Sequence, residues 1–233
     1  MNLSQYLTEL SYKELSNLSL ADSGSGTIKP EKLPFVVSCV NEALLRLYSR
    51  FILKEKSLVI ELRDYLSEYH LDVSHTISQG HVSEDRYIID GEHPFTGDLI
   101  KVLDVYDEHG LRVPLNNASN VLSVFTPRVD VLQVPNPFQY GDVLSLNYQA
   151  KHPPLNFHKN PYQKIELPDN LIGALSAYVA YSVYSTFNTT EATGAAQKYM
   201  QMYAALVQET VETDTANSSI SQDSSRFYEN GWC

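Results

Sequence analysis

KLPFVVSCVNEALLRLYSRFILKEKSLVIEL, residues Lys32 to Leu62, changes its hydrophobic period part-way, and that change decides the fold class. Up to Phe51 the apolar residues return at steps of three and four, so Val36, Val40, Ala43, Leu44, Leu47 and Phe51 share one helical face. Pro34 is tolerable in a first turn, where its missing N–H has no helical partner anyway. Glu42 and Arg46 add an i,i+4 surface pair. Beyond Phe51 the period becomes two: Leu58, Ile60 and Leu62 alternate against Ser57, Val59 and Glu61, the pattern of a half-buried strand.

Further alternation around Ile100–Tyr106, Val121–Phe125, Val129–Val134 and Val143–Tyr148 extends the β region. Asp107-Glu108-His109-Gly110 and Gln139-Tyr140-Gly141-Asp142 have the composition of turns, with Gly available for positive φ. Residues 64–86 and 150–162 read as surface loops. Upstream, Leu3, Tyr6, Leu7 and Leu10 share one face of a short helix, and Ala21–Thr27 (ADSGSGT) is a flexible break.

Helical periodicity returns at Pro168-Asp169 and runs to about Asn188. A second helix starts near Thr190-Glu191, with Ala192, Ala195, Tyr199, Met202 and Leu206 at helical spacing. These two form an expected antiparallel pair on the 32–51 helix, and the small residues Gly173, Ala174, Ala177 and Ala180 permit close approach. The expectation is an α+β fold: a helical bundle of long helices with an inserted antiparallel β-rich domain and an extended C-terminal arm. Its parts are N-terminal helices in 1–55, the β-rich domain in 56–166, C-terminal helices in 167–212 and the arm in 213–233. The arm is polar until Arg226-Phe227-Tyr228 and Gly231-Trp232, so it builds no core locally and is expected to order only by docking.

Composition narrows the function. The chain has 233 residues, 28 acidic against 17 basic, and a formal net charge of −11. Phosphate affinity comes from Lys and Arg, so this balance speaks against a dedicated nucleic-acid binder. Two cysteines, Cys39 and Cys233, support neither a disulfide framework nor a zinc site, and the N-terminus lacks the apolar core of a secretory signal. Asn170–Thr190 is uncharged and long enough to cross a bilayer. Its hydroxyls at Ser176, Tyr178, Tyr181, Ser182, Tyr184, Ser185 and Thr186 fit a helix buried among protein neighbours instead.

No enzyme signature is present, and no cofactor is expected. His70, His75, His81 and His93, with Asp72, Glu84, Asp85 and Asp90, share one interval, but their spacings match no rigid metal-ligand pattern. Ser23-Gly24-Ser25-Gly26-Thr27 lacks the Lys of a phosphate-binding loop. Asp104 and Asp107 have the residue type of a glycosidase acid and base pair, but their place at a strand end suits turn capping. The unusual quantity is sixteen tyrosines. Tyr combines a large ring with a polar tip, so these fit a carbohydrate- or receptor-binding face on the β region, an assembly interface, or plain packing of one helix in its own domain.

YLTELSYKELSNLSL at the start, VNEALLRLYSRF, KVLDVYDEHG, VFTPRVDVLQV, LNYQA, ELPDNLIGALSAYVAYSVY and the closing RFYENGW together resemble the head-to-tail adaptor proteins of short-tailed bacteriophages, the tail tubular protein A-like family. The resemblance implies a non-enzymatic virion protein at the head-tail junction, assembled in the host bacterial cytoplasm. It implies self-association into a twelvefold ring that joins the portal protein to the tail nozzle, with double-stranded DNA passing through the lumen unbound. It also implies an arm that reaches the portal, with Arg226, Phe227 and Trp232 as anchors. An acidic share of the net −11 is then expected to line the lumen and repel the duplex. Cys233 is not part of that pattern.

Overall fold

A computed structural model describes residues 1–18, 20, 26–77, 86–90, 94–136 and 141–213. The fold is α+β, with four helices and two antiparallel sheets among the described residues. Helix α1 (Leu3–Tyr12) begins in a reciprocal cap: the Asn2 side chain accepts from Gln5 N–H at 2.9 Å, and the Gln5 side chain accepts from Asn2 N–H at 3.2 Å. Helix α2 (Leu33–Arg50) carries Pro34 in its first turn and buries the expected stripe of Val36, Val40, Ala43, Leu44 and Leu47.

The strands are β1 (Glu55–Glu61), β2 (Glu68–His70), β3 (Ile88–Asp90), β4 (Leu99–Tyr106), β5 (Arg112–Val113), β6 (Phe125–Arg128), β7 (Val131–Gln133) and β8 (Val143–Ala150). They form one sheet in the order β3-β1-β8-β4-β5 and a second in the order β2-β7-β6. Isolated bridges pair Thr76 with Ile88 and Leu115 with Val124, and side chains of both sheets share one core. Leu58, Ile60, Tyr69, Val105, Val124, Leu132, Leu144 and Leu146 fill it.

Helix α3 (Asp169–Tyr184) and helix α4 (Thr190–Glu212) follow. With α1, α2 and the buried side chains of Leu155 and Ile165 they enclose a second core. Gly173 faces α4, where an added Cβ would meet Leu206 in ordinary contact at 3.4 Å.

Several expectations need correction. Residues 64–77 are not a plain loop: they contain β2, and Tyr69 and Leu71 are buried because β2 pairs with β7. The strand expected from Val121 begins only at Phe125. Asn120 folds the preceding residues into a turn, accepting from Leu122 N–H at 2.9 Å, which leaves Val121 90% exposed. Helix α3 stops at Tyr184, short of Asn188, and the cap of α4 is Thr189, whose hydroxyl accepts from Ala192 N–H. Met202 points outward, while Ala196 and Val207 take the buried positions. No helix among the described residues is long and apolar enough to cross a membrane.

Candidate functional site

The expected portal anchors Arg226, Phe227 and Trp232, and Cys233, lie outside the described residues, as does Gln139-Tyr140. So do His81, His93, Glu84 and Asp85. His70 and His75 do come together, with ring centroids 6.1 Å apart, and His75 stacks on Tyr87 at 4.8 Å. Asp72 turns away to cap a 3₁₀ turn, accepting from Ser74 N–H at 2.8 Å, and this bond holds its carboxyl below the usual range. No group of metal-ligating side chains forms among the described residues.

Asp104 and Asp107 part company at the β4–β5 hairpin. Asp104 pairs with Arg112 across the strands. Asp107 closes the turn, its Oδ1 accepting from His109 N–H at 2.9 Å and Leu111 N–H at 2.8 Å. Gly110 supplies the positive φ of 77° that this turn needs.

The tyrosines are mostly inward. Tyr69, Tyr87 and Tyr148 belong to the β core, leaving Tyr65 and Tyr162 as the exposed ones of that region among the described residues. On α3, Tyr178 donates to Glu42 Oε1 at 2.7 Å under the guanidinium of Arg46, 4.9 Å above its ring. Burial, then the Glu42 carboxylate, push its phenol up to about 12. Tyr184 and Tyr199 stack at 5.6 Å and both donate to the Glu14 carbonyl. These rings therefore lock α2, α3, α4 and the segment around Glu14 to one another.

Where the two cores meet, a polar junction forms that the sequence reading did not single out. Gln149 on β8 is 4% exposed, and its amide donates to the carbonyls of Tyr48 and Phe51 at the end of α2. Strand alternation puts Gln149 on the face of Ser145 and Asn147, opposite Leu144, Leu146 and Tyr148, so the sequence pattern carried no signal of its burial. Beside it, Tyr48 donates to the Glu166 carbonyl, and its ring meets His152 edge-on at 5.4 Å. His152 Nε2 accepts from Glu166 N–H at 3.0 Å while Nδ1 faces the Pro153 carbonyl at 2.6 Å, which sets the Nδ1–H tautomer. Burial holds this imidazole below its ordinary pKa. Lys54 pairs with Glu166 at 2.6 Å and draws that carboxyl down. On α2, Asn41 copies a backbone pair by bonding both N–H and C=O of Leu155.

Open grooves remain on both cores. Between α2 and α4 lies a groove of about 510 Å³ lined by Glu42, Leu45, Arg46, Ser49, Arg50 and Tyr203. Beside β4 lies another of about 530 Å³, lined by residues 101–103 and 112–117. Neither gathers a nucleophile, base and oxyanion donor; both are shallow surfaces suited to protein contact.

No protein-family model matches the sequence, and no curated protein matches it significantly.

Proposed function

We propose that this chain is a head-to-tail adaptor of a short-tailed bacteriophage: a virion structural protein that forms a ring between the portal and the tail nozzle and encloses part of the DNA ejection channel. The observation that carries the reading is the origin of the two cores. Residues 3–51 and 155–207 share one, while residues 58–150 build the other. That order supports a helical bundle interrupted by an inserted β-rich domain, the arrangement the sequence resemblance implies. A ring contact is heterologous, so each subunit needs two different complementary faces. Grooves on both cores suit that requirement.

In this reading α4 leads directly into the arm, and Arg226, Phe227 and Trp232 at its end are the portal anchors. The test is to mix the full chain with a purified portal ring of a short-tailed phage and image the product. A ring of copies seated under the portal, lost when the chain is truncated before Thr213, is the expected result. A chain that stays monomeric and unattached in the presence of that portal overturns the reading.

A further inference from the structure

Strand β4 has an unpaired stretch of edge among the described residues. Strand β4 is eight residues long, yet β5 pairs with it only at Val105 and Tyr106. On the side away from β8, Leu99–Asp104 have no backbone partner among the described residues. The divergence is built into the neighbouring chain. Beyond Val113 the backbone leaves β4 and joins the other sheet, Pro114 C=O accepting from Val124 N–H at 2.9 Å and Asn116 N–H donating to Val124 C=O at 2.8 Å. Asn116 holds the bend with a positive φ of 53°, its side chain bonded both ways to Thr126 at 2.8 Å.

The result is an open groove between a sheet edge and a strand that has turned away, with Lys101, Val102, Leu103, Arg112, Pro114 and Leu115 on its walls. A free strand edge specifies its ligand by backbone chemistry: an extended peptide supplies alternating donors and acceptors at the right spacing. Register shifts against β8 at Leu99/Lys101 and Val102/Asp104 show that β4 is bulged along this stretch. Such bulges and an edge lysine discourage indiscriminate pairing, so a short, matched segment is admitted and a long flat strand is not. Arg112 is engaged by Asp104, whereas Lys101 is exposed and unpaired among the described residues, a local positive charge on a chain of net −11. Copies of so acidic a chain repel one another, and a lysine at the open edge is where an acidic segment of another copy is drawn in.

We propose that the open edge of β4 at Leu99–Asp104, with its groove, is a strand-acceptor site for an extended acidic segment of a second copy of this chain, so that subunits join by β-augmentation. This rests on the ring-forming reading and names the surface that it uses. The contact is heterologous, since the donor segment differs from the acceptor edge, and it propagates from copy to copy.

The experiment is amide exchange read by mass spectrometry on the full chain, dilute and free, then concentrated or seated on a portal ring, with sedimentation reporting assembly. Amides of 99–104 are expected to slow at least tenfold on assembly, the order expected when exposed amides gain strand partners. Lys101→Glu, which leaves the backbone intact, is expected to weaken association roughly tenfold with an unchanged melting temperature. Leu103→Pro puts into the edge strand a ring that cannot extend a ladder, and where it folds it is expected to abolish assembly. Rings that form on the portal with 99–104 exchanging as fast as in the free chain overturn the acceptor site and leave the adaptor reading standing. A chain that forms no assembly, free or with the portal, overturns both.

Discussion

Tyrosine does different work in the two cores. In the β core its hydroxyl stays within the β stretch: Tyr69 reaches the backbone of Arg63 and Leu66, Tyr87 bonds both N–H and C=O of His70, 17 residues away, and Tyr148 donates to Asp98 Oδ1, 50 residues away. In the helical core the same group spans the sequence, with Tyr178 to Glu42 separated by 136 residues, Tyr184 to Glu14 by 170 and Tyr199 to Glu14 by 185. The β core assembles from one stretch and uses its phenols to pin loops. The helical core assembles from both flanks of that stretch and uses them to register helices whose mutual approach nothing local specifies. On the uncharged helix α3, the hydroxyls of Ser176, Tyr178 and Tyr184 find protein partners in Tyr6, Glu42 and the Glu14 carbonyl.

The hardest way to break the helical side is Leu44→Asp, because Leu44 is 1% exposed and the carboxylate would be buried without a partner. A loss of about 4 kcal/mol or outright unfolding is expected in urea titration. Glu42→Ala, at the same helix but on its rim, costs about 1 kcal/mol, since it strips the Tyr178 hydroxyl of its acceptor. Equal losses for the two would contradict the assigned helix face.

Gln149→Leu attacks the junction between the cores. Two carbonyls, of Tyr48 and Phe51, lose their donor, and a cost of about 2–3 kcal/mol is expected. If the cores are energetically coupled through this amide, calorimetry is expected to show one melting transition for the natural chain and two for the variant.

Tyr178→Phe and Tyr69→Phe sharpen the comparison directly, each deleting one hydroxyl at about 1 kcal/mol. Limited proteolysis distinguishes them. The first variant is expected to expose α4, which it meets through Tyr203 at 5.2 Å, and the second the 63–66 turn. The reverse pattern of cleavage would show that long-range and local phenols had been assigned to the wrong work.

The smallest effect is a pH slope. His152 is neutral in the folded protein, with a pKa held below the ordinary 6.5 by burial. The unfolded chain therefore binds the proton first, so stability is full above pH 6.5 and falls as pH drops below it toward the folded value. Glu166, whose pKa is drawn below 4.5 by Lys54, loses its contribution only under more acid conditions. Urea midpoints at about pH 7.5 and about pH 5.5 are expected to differ for the natural chain and to converge for His152→Gln; an unchanged difference would locate the proton elsewhere.

Much of the fold was legible because repeated local patterns overdetermine it. The stripe of α2, the alternation of β1 and β8 and the paired periodicity of α3 and α4 each recur often enough to outweigh any single residue. The misreadings fell where one side chain sets the backbone. Asn120 turned a strand-like run into a turn, and the pairing of β2 with β7 drew Tyr69 and Leu71 out of what looked like a loop. Asp107 was recognisable as a turn residue from its neighbours, whereas the Arg112 that engages Asp104 became its partner only through strand register.

The sequence by itself determined the classes of element, their order and which faces turn inward, since hydrophobic period and turn chemistry act over a few residues. Only the tertiary structure decided what distant pieces do to one another: that Gln149 fastens β8 to the end of α2, that His152 holds the Glu166 backbone beside it, and that β5 abandons β4 after two pairs and leaves an open edge. These depend on register and close approach, which arise from packing the whole chain and have no periodicity in any one segment to announce them.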